Sequence, residues 1–409
     1  MKIRSITSFY DPRAHTVGAD LQHLADFSDQ MKLRISQELM PVQSTRLATI
    51  PYPLFLDAHS PEQALQTVLQ MEKSASDLGW QYLSLGPALP DQQEFTSLIP
   101  HLLAAAPSIF CCTIMADEEY MYPAAIRRSA ELIRDISAIS PDGFTNLRFA
   151  ALANVPPYAP FLPAAYAQPG EPPAFSIAVE CADVVVETFS NAQDLAAARQ
   201  ALLDRLEDAA NRVMAIIHQL YPDSRIQFKG FDFSPAPYPQ DWCSLAAGVE
   251  ALGLEHIGGI GSLAAVAVVA DTLDRGNWPR AGFNGMMLPV LEDSCLSRRA
   301  GQGLLTVQDL LLYSTVCGTG LDTIPLPGDV TQSDLESVLA DVAALAVRLG
   351  KPLTTRLMPL PGRQAGDLTD FDFEYFSNTR VMSCIGQRLR HPLISDAPIP
   401  LQPRKRRSY

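Results

Sequence analysis

The sequence lacks the motifs that identify most metal, nucleotide and hydrolytic enzymes. Its seven cysteines are scattered and odd in number, which argues against a disulfide framework. No Cys-x-x-Cys pair or His-Glu-x-x-His motif occurs, so a standard zinc site is not expected. There is also no Walker A motif, no Gly-x-Ser-x-Gly motif and no kinase motif set. The motifs therefore exclude several reactions and identify none.

Long apolar runs are also missing. No continuous apolar run reaches the roughly 18 residues that a membrane-spanning helix needs. The N-terminus alternates polar and apolar residues and lacks the continuous apolar stretch of a secretory signal. Together with the scattered cysteines, these features predict a cytoplasmic protein with reduced thiols and no membrane partner.

Basic residues are scarce relative to acidic ones. The chain has 31 Lys and Arg against 45 Asp and Glu, a formal net charge of −14. Such a chain does not attract nucleic acid, so none is expected as a partner. The basic end at Arg404–Arg407 is interpreted as part of a solvated tail over residues 391–409. The 47% apolar content over 409 residues excludes disorder, and 33 prolines with 23 glycines exclude a coiled coil.

What the sequence does contain is an alternation of strand and helix patterns. A capping box at Ser60–Gln63 and another at Ser333–Glu336 mark helix starts, and Gly350 marks a helix end. Residues 194–220 form a long amphipathic pattern. The alternation predicts an α/β fold with a largely parallel sheet, in one domain over residues 1–390. The predicted strands are Lys2–Phe9, Thr45–Ile50, Gln81–Leu85, Ile109–Ile114, Leu147–Ala151, Ile226–Phe233, Gly285–Val290 and Thr354–Met358.

A proline-rich segment interrupts this alternation. Pro156–Pro173 has seven prolines among eighteen residues and is interpreted as a stiff surface loop, with an interdomain linker as the alternative. Such a loop would expose Tyr158, Phe161, Leu162 and Tyr166, and exposed apolar patches often mark interfaces, which predicts a homodimer. The alternative is that these side chains cover the rim of their own fold.

Several acidic residues follow predicted strands. Asp232, Glu292 and Asp293 are candidate ligands of a divalent cation such as Mg²⁺ or Ca²⁺, because carboxylates at strand ends suit hard cations. Asp322, in Cys-Gly-Thr-Gly-Leu-Asp, is a candidate catalytic carboxylate. Helix capping and solvation are sufficient to explain each of these residues when it is taken singly. We expect the group to approach one cavity, with Arg356 or a cation compensating its charge.

Three further features point to an anionic small molecule. Gly259, Gly261 and Ser262 form a turn before an apolar helix, where backbone amides approach an anion, although no acidic residue about 20 positions on supports a dinucleotide. Cys317 is a candidate nucleophile, or a buried structural thiol, with His256 as the proton carrier. The other candidate substrate-binding residues are Arg356 and Asn154.

A set of short segments carries a family resemblance. In their joint order they resemble the domain-of-unknown-function 711 family, also called uncharacterised protein family 0210, across about residues 1–385. The segments are Met1–Thr7, Arg46–Thr49, Tyr82–Pro87, Ala153–Phe161, Asp232–Pro237, Phe283–Asp293, Cys317–Pro325 and Thr354–Pro359.

The resemblance implies a fold but no established activity. The family fold is similar to the barrel of pyruvate formate-lyase, with about ten strands in two parallel halves wrapped by helices. Two departures matter: Gly259-Ile-Gly-Ser-Leu stands where many members have His-Gly-Thr-Thr, and Arg380-Val-Met-Ser lacks the radical-bearing loop of glycyl-radical enzymes. We therefore expect a non-radical enzyme acting on a small anionic metabolite in the barrel mouth. The alternative is a non-catalytic ligand-binding or regulatory protein.

Overall fold

A computed structural model of the chain describes residues 1–13, 17–220, 225–391, 393 and 395–404. Within these residues the fold is mixed α/β, with one 11-stranded sheet. The strands are β1 (Lys2–Tyr10), β2 (Thr45–Pro51), β3 (Tyr82–Gly86), β4 (Ile109–Ala116), β5 (Tyr120–Met121), β6 (Phe149–Ala153), β7 (Ala174–Glu180), β8 (Gln227–Asp232), β9 (Gly320–Pro327), β10 (Leu353–Leu360) and β11 (Ile399–Pro400).

The strand order of the sheet is β8-β7-β1-β2-β3-β4-β6-β10-β9, and β5 joins β4 to β11 at the side. Strands β1, β2, β3, β4 and β6 are parallel neighbours in that order. Strand β7 runs antiparallel to β1 and parallel to β8. Strand β10 likewise runs antiparallel to β6 and parallel to β9. The prediction of a mostly parallel α/β sheet is confirmed, and hydrogen bonds within the described residues do not join the edge strands β8 and β9 directly.

Helices pack against one face of this sheet. They are α1 (Val17–Glu38), α2 (Pro61–Asp77), α3 (Leu98–Ala105), α4 (Pro123–Ser137), α5 (Ala182–Ser190), α6 (Leu195–Leu220), α7 (Leu245–Glu250), α8 (Ser262–Asp274), α9 (Ser294–Gly301), α10 (Val307–Tyr313) and α11 (Gln332–Leu349). Their apolar sides and the sheet form one large buried cluster that includes Ile6, Leu47, Leu202 and Leu357. This cluster fixes which strand residues face the helices.

The sequence signals for helix ends are partly confirmed. Helix α2 begins at Pro61 as predicted, but Ser60 makes no side-chain capping bond. Helix α11 ends at Gly350, which has a positive φ of 61°. Its capping box is formed by Thr331 and Asp334 rather than by Ser333 and Glu336. The hydroxyl two residues upstream takes the cap because it reaches the N3 amide.

The strand predictions need correction at several places. Gly285–Val290 is not a strand: it makes one isolated bridge, between Pro289 and Asp322, because Gly and Pro interrupt its pairing, and a second isolated bridge joins the preceding Arg280 to Phe231. Strands β7 and β9 were not among the predicted strands. The apolar run of β7 directly follows the proline-rich segment, and β9 has a glycine and two prolines, which are typical of a loop.

Residues 159–167 of the proline-rich segment are buried, while its ends at Pro156 and at residues 170–172 are exposed. The interpretation of the segment as a surface loop that exposes its large apolar side chains is therefore wrong. Phe161 and Leu162 are each 8% exposed and Tyr166 is 9% exposed. Hydroxyl groups of β1 and β3 bind its backbone: Thr7 Oγ1 donates to the Pro160 carbonyl at 2.7 Å and Ser84 Oγ donates to the Pro163 carbonyl at 3.4 Å. The segment therefore covers the sheet face opposite the main helical cluster, which was the alternative to a dimer interface.

The described part of the C-terminal tail contacts the sheet. Strand β11 pairs antiparallel with β5, through Ile399 and Met121. Residues 405–407 of the predicted basic end lie outside the described residues. Among the described helices, none is long and apolar enough to cross a membrane.

Candidate functional site

A cavity of about 400 Å³ lies on the sheet face that the proline-rich segment covers. Its strand residues come from β1, β2, β3, β4, β6, β9 and β10, so the sheet must curve around it. The proline-rich segment supplies Phe161–Ala164, and the stretch after β8 supplies Phe283, Met287 and Glu292. Chain segments far apart in sequence therefore meet at one site, which we call the inner cavity.

Irregular pairing places two of the arginines in the inner cavity. In β1 the register shifts between Ile3 and Ser5, so Arg4 and Ser5 both turn away from the helices, while Ile3 packs among them. In β10 the register shifts between Thr355 and Leu357, and Arg356 lies at that shift. Such irregularities redirect side chains next to functional sites.

Backbone strain accompanies the second irregularity. Thr323, in β9 opposite that shift, has a φ of 43° and is fully buried. A positive φ is unfavourable for a β-branched residue and costs on the order of 1–3 kcal/mol. The strained turn keeps Leu321 and Ile324 in the helical cluster while Asp322 lines the inner cavity.

The charged residues at the cavity form a chain of ion pairs. Arg4 Nη2 donates to Glu292 Oε2 at 3.1 Å, and Arg356 Nη2 donates to Glu292 Oε1 at 2.8 Å. Arg356 Nε donates to Asp322 Oδ1 at 2.5 Å. Arg4 also binds Glu180, a buried carboxylate outside the cavity, at 2.9 Å. Both cavity carboxylates therefore already have arginine partners.

The pKa shifts in this network have clear causes. Burial disfavours the charge of Arg356, but Asp322 and Glu292 outweigh it and hold the pKa of Arg356 above its ordinary value. Burial raises the pKa of Glu292, and the guanidiniums of Arg356 and Arg4 oppose that shift. Glu292 is thus a cavity carboxylate whose pKa lies above its ordinary value.

Arg46 differs from Arg4 and Arg356 because it has no carboxylate partner among the described residues. It is 9% exposed, and its Nε donates to Ser44 Oγ at 3.0 Å. Among the described residues, no carboxylate lies within ion-pairing distance of its nitrogens. Burial, with the repulsion of Arg4, lowers the pKa of Arg46 to about 9. A buried cation without a partner is costly, and its terminal nitrogens remain available to a bound anion.

Two predicted metal ligands are satisfied by the protein itself. Asp232 accepts hydrogen bonds from the amides of Phe283 and Asn284, at 2.7 and 3.0 Å, and from Ser234. Asp293 caps α9 and accepts from Ser244 Oγ at 2.6 Å. Burial raises the pKa of both carboxyls, and neither lines the inner cavity. Both hold loops in place.

The other predicted residues outside the network are dispersed. His256, Gly259, Gly261 and Ser262 surround the start of α8, where Ser262 Oγ accepts from the Gly258 amide. Cys317 is buried, and its carbonyl accepts from Lys351 Nζ. Asn154, directly after β6, has a φ of 53°. None of these residues lines the inner cavity.

The structure thus brings Glu292, Asp322 and Arg356 together and leaves the other candidates apart. No group of three or more His, Cys, Asp or Glu residues suited to a metal was found in the described ranges. Sequence reasoning missed Arg4, Arg46 and Arg148. A usable signal was present, because Arg4 and Arg46 interrupt otherwise apolar or small-residue strand segments.

Comparison with known proteins adds a family but no reaction. A family model described as "Uncharacterised ACR (DUF711)" matches residues 1–377. A UPF0210 protein of Pyrobaculum aerophilum is 35% identical over 255 residues, which cover 60% of this chain and 55% of the relative. A UPF0210 protein of Syntrophobacter fumaroxidans is 28% identical over 376 residues, 85% of this chain and 80% of the relative. The match to the Pyrobaculum protein thus spans about half of that relative's length.

Proposed function

The chain belongs to the DUF711 family of uncharacterised proteins, and from that premise we propose that it is a non-radical enzyme acting on a small anionic metabolite in the inner cavity. The observation that carries this proposal is Arg46, a buried guanidinium at the cavity wall that has no carboxylate partner within the part of the chain that the structure describes. A protein keeps a buried charge of this kind where a ligand compensates it.

The balance of charge supports an anionic ligand. Four arginines line the cavity (Arg4, Arg46, Arg148 and Arg356) against two carboxylates (Glu292 and Asp322), a local balance of +2. The whole chain has a formal charge of −14, so this positive balance is local to the cavity. Arg148 donates to the carbonyls of Leu103 and Ala106. Arg46 is therefore the arginine most available to the ligand.

We propose that the sheet closes as a barrel of the pyruvate formate-lyase type. Strands β1, β2, β3, β4 and β6 are one parallel half of five. The second half consists of β7, β8, β9 and β10, with the irregular stretch 280–290 as its fifth member. This stretch bridges β8 at Arg280 and β9 at Pro289, both in parallel orientation, which supports closure between the two edge strands.

For the chemistry we propose Glu292 as the proton-carrying group. It lines the cavity, and burial raises its pKa above the ordinary value while two arginines keep it in place. Asp322 orients Arg356. The proposal assigns no reacting role to Cys317 or His256, since neither lines the cavity. It includes no divalent cation, because arginines already neutralise both cavity carboxylates.

The second candidate is a protein that binds the anion without chemistry. One observation favours it: Glu292 and Asp322 are both held in ion pairs, as expected of groups that only shape a pocket.

We retain a cytoplasmic location as part of the proposal, supported by seven free cysteines. A homodimer stays a prediction, and Phe161, Leu162 and Tyr166, which were expected to form its interface, are buried within the same chain.

The test is ligand binding to wild type, Arg46→Gln and a control, Arg212→Gln. Arg212 is an exposed helix arginine with a loose pairing to Asp208 at 3.7 Å. Small carboxylates and inorganic phosphate should raise the melting temperature of wild type and of the control but not of Arg46→Gln. Equal anion responses in all three proteins would contradict an anion site at Arg46. Compounds that bind are then followed by NMR for conversion, and loss of conversion in Glu292→Gln with binding retained separates the enzyme from the binding protein.

A further inference from the structure

We infer that the ligand of the inner cavity carries a flat aromatic body joined to a single carboxylate. This inference rests on the proposed anion site and adds the chemical class of the molecule that occupies it. It comes from the aromatic walls of the cavity, which an anion site alone does not need.

Aromatic side chains are concentrated at the cavity. Seven of its 23 lining residues are Phe or Tyr, whereas aromatic residues are 8% of the chain. Apolar residues such as Leu147, Leu162 and Met287 fill much of the remaining wall. A site for a small polar anion such as phosphate has no use for so much apolar surface, because burying that surface against a hydrated ion gains nothing.

The rings form two walls. On β3 and β4, Tyr82 and Phe110 meet edge to face with their centroids 5.5 Å apart. The other wall consists of Phe144, Phe373 and Tyr375, with successive centroids 5.0 and 5.3 Å apart. Rings arranged in this way present faces and edges to a third ring, and each such contact adds about 0.5–1.5 kcal/mol beyond burial.

Each wall has an arginine beside it. The Arg46 guanidinium lies 5.9 Å from the centre of the Tyr82 ring, and that of Arg4 lies 5.3 Å from the Tyr375 ring. Of these two, Arg4 is already paired with Glu180 and Glu292. One guanidinium next to an aromatic wall therefore remains open, which matches one carboxylate attached to one ring system.

The residues around Phe373 indicate a ligand of low charge. Asp372 and Glu374 flank this ring and are exposed, while Phe373 and Tyr375 are half-buried. Acidic groups next to an aromatic wall repel a dianion more than a monoanion. A single carboxylate therefore fits this surface better than a phosphate ester does.

The experiment uses four probes that separate the two parts of the ligand: phenylacetate, cyclohexylacetate, acetate and phenyl phosphate. Binding is measured by titration calorimetry, supported by saturation-transfer NMR, on wild type, Tyr82→Leu, Arg46→Gln and a control, Tyr120→Leu. Tyr82 and Tyr120 are similarly exposed, at 40% and 37%, so neither change removes a core residue.

We expect wild type and Tyr120→Leu to bind phenylacetate at least tenfold more tightly than acetate, cyclohexylacetate or phenyl phosphate. Tyr82→Leu should lose most of that preference for the ring while still binding acetate. Arg46→Gln should weaken the binding of every one of these anions at least tenfold. Far-UV circular dichroism checks that each variant is folded.

The outcomes distinguish the inference from the proposed function. If phenylacetate binds no more tightly than acetate or cyclohexylacetate, the inference of an aromatic ligand is overturned. It is also overturned if none of the three compounds binds. Tighter binding of phenyl phosphate overturns the single carboxylate. If these occur while Arg46→Gln still abolishes anion binding, the anion site stands without the aromatic class. Anion binding that is unchanged in Arg46→Gln overturns the proposed function as well.

Discussion

Replacing Arg46 by methionine should stabilise the ligand-free protein. Arg46 is 9% exposed, donates one hydrogen bond to Ser44, and has no carboxylate partner among the described residues. Burial lowers its pKa to about 9, several units below the ordinary value of a guanidinium. At 1.36 kcal/mol per pKa unit, this difference corresponds to about 5 kcal/mol of unfavourable environment for the charged form.

The substitution Arg46→Met removes only part of this unfavourable free energy. Methionine has a similar length and no charge, but it leaves Ser44 without a donor and cannot fill the cavity as the guanidinium does. Replacing buried charges by apolar residues of similar size stabilises proteins by about 1–4 kcal/mol. We therefore expect Arg46→Met to raise the free energy of unfolding by about 1–3 kcal/mol.

The assay is urea unfolding at pH 7, followed by circular dichroism and tryptophan fluorescence, for wild type, Arg46→Met and Arg212→Met. The control should change the free energy of unfolding by less than about 0.5 kcal/mol, because its ion pair is exposed. A loss of more than about 1 kcal/mol in Arg46→Met would refute the reasoning. It would mean that the guanidinium is held for structural reasons and not kept open for a ligand.

Three further predictions concern stability. Arg356→Gln should lower the free energy of unfolding by about 3–5 kcal/mol in urea melts, since it leaves two buried carboxylates short of a partner. Glu250→Gln should lower the free energy of unfolding by about 1–3 kcal/mol at pH 7. Despite burial, the hydrogen bond from Arg299 holds the pKa of Glu250 below 4.5, so its contribution to stability is present above pH 4.5. In acid this contribution is lost, and the free energies of unfolding of wild type and Glu250→Gln should converge. Gly320→Ala should lower the free energy of unfolding by about 2 kcal/mol more than Gly170→Ala does. Both glycines have a positive φ, but a Cβ at Gly320 would lie 2.2 Å from a backbone oxygen, whereas a Cβ at Gly170 would have no atom within 4 Å. Equal melting temperatures in that pair would contradict the steric account.

The local structure was predictable where the chemistry is local. Strand β1 shows its alternation and α11 shows its glycine stop in the sequence itself. Prediction failed where pairing partners decide the outcome. The stretch Gly285–Val290 has strand-like composition but makes only one isolated bridge, and β9 is a strand despite its glycine and prolines because β10 lies beside it.

The candidate site shows the same division. Glu292, Asp322 and Arg356 could be selected from the sequence because charged residues after apolar segments are conspicuous. Asp232 has the same appearance, yet backbone amides of residues 283 and 284 satisfy it, and only the folded chain brings those amides close.

By itself, the sequence determined the α/β class, the family, and the absence of long apolar runs, because these depend on composition, periodicity and segment order. Only the tertiary structure decided that residues 159–167 of the proline-rich segment are buried and that Arg46 has no carboxylate partner in the described ranges. Burial and charge pairing depend on side chains that meet across the fold, from positions as distant as Arg4 and Glu292. No single segment of the sequence contains that information.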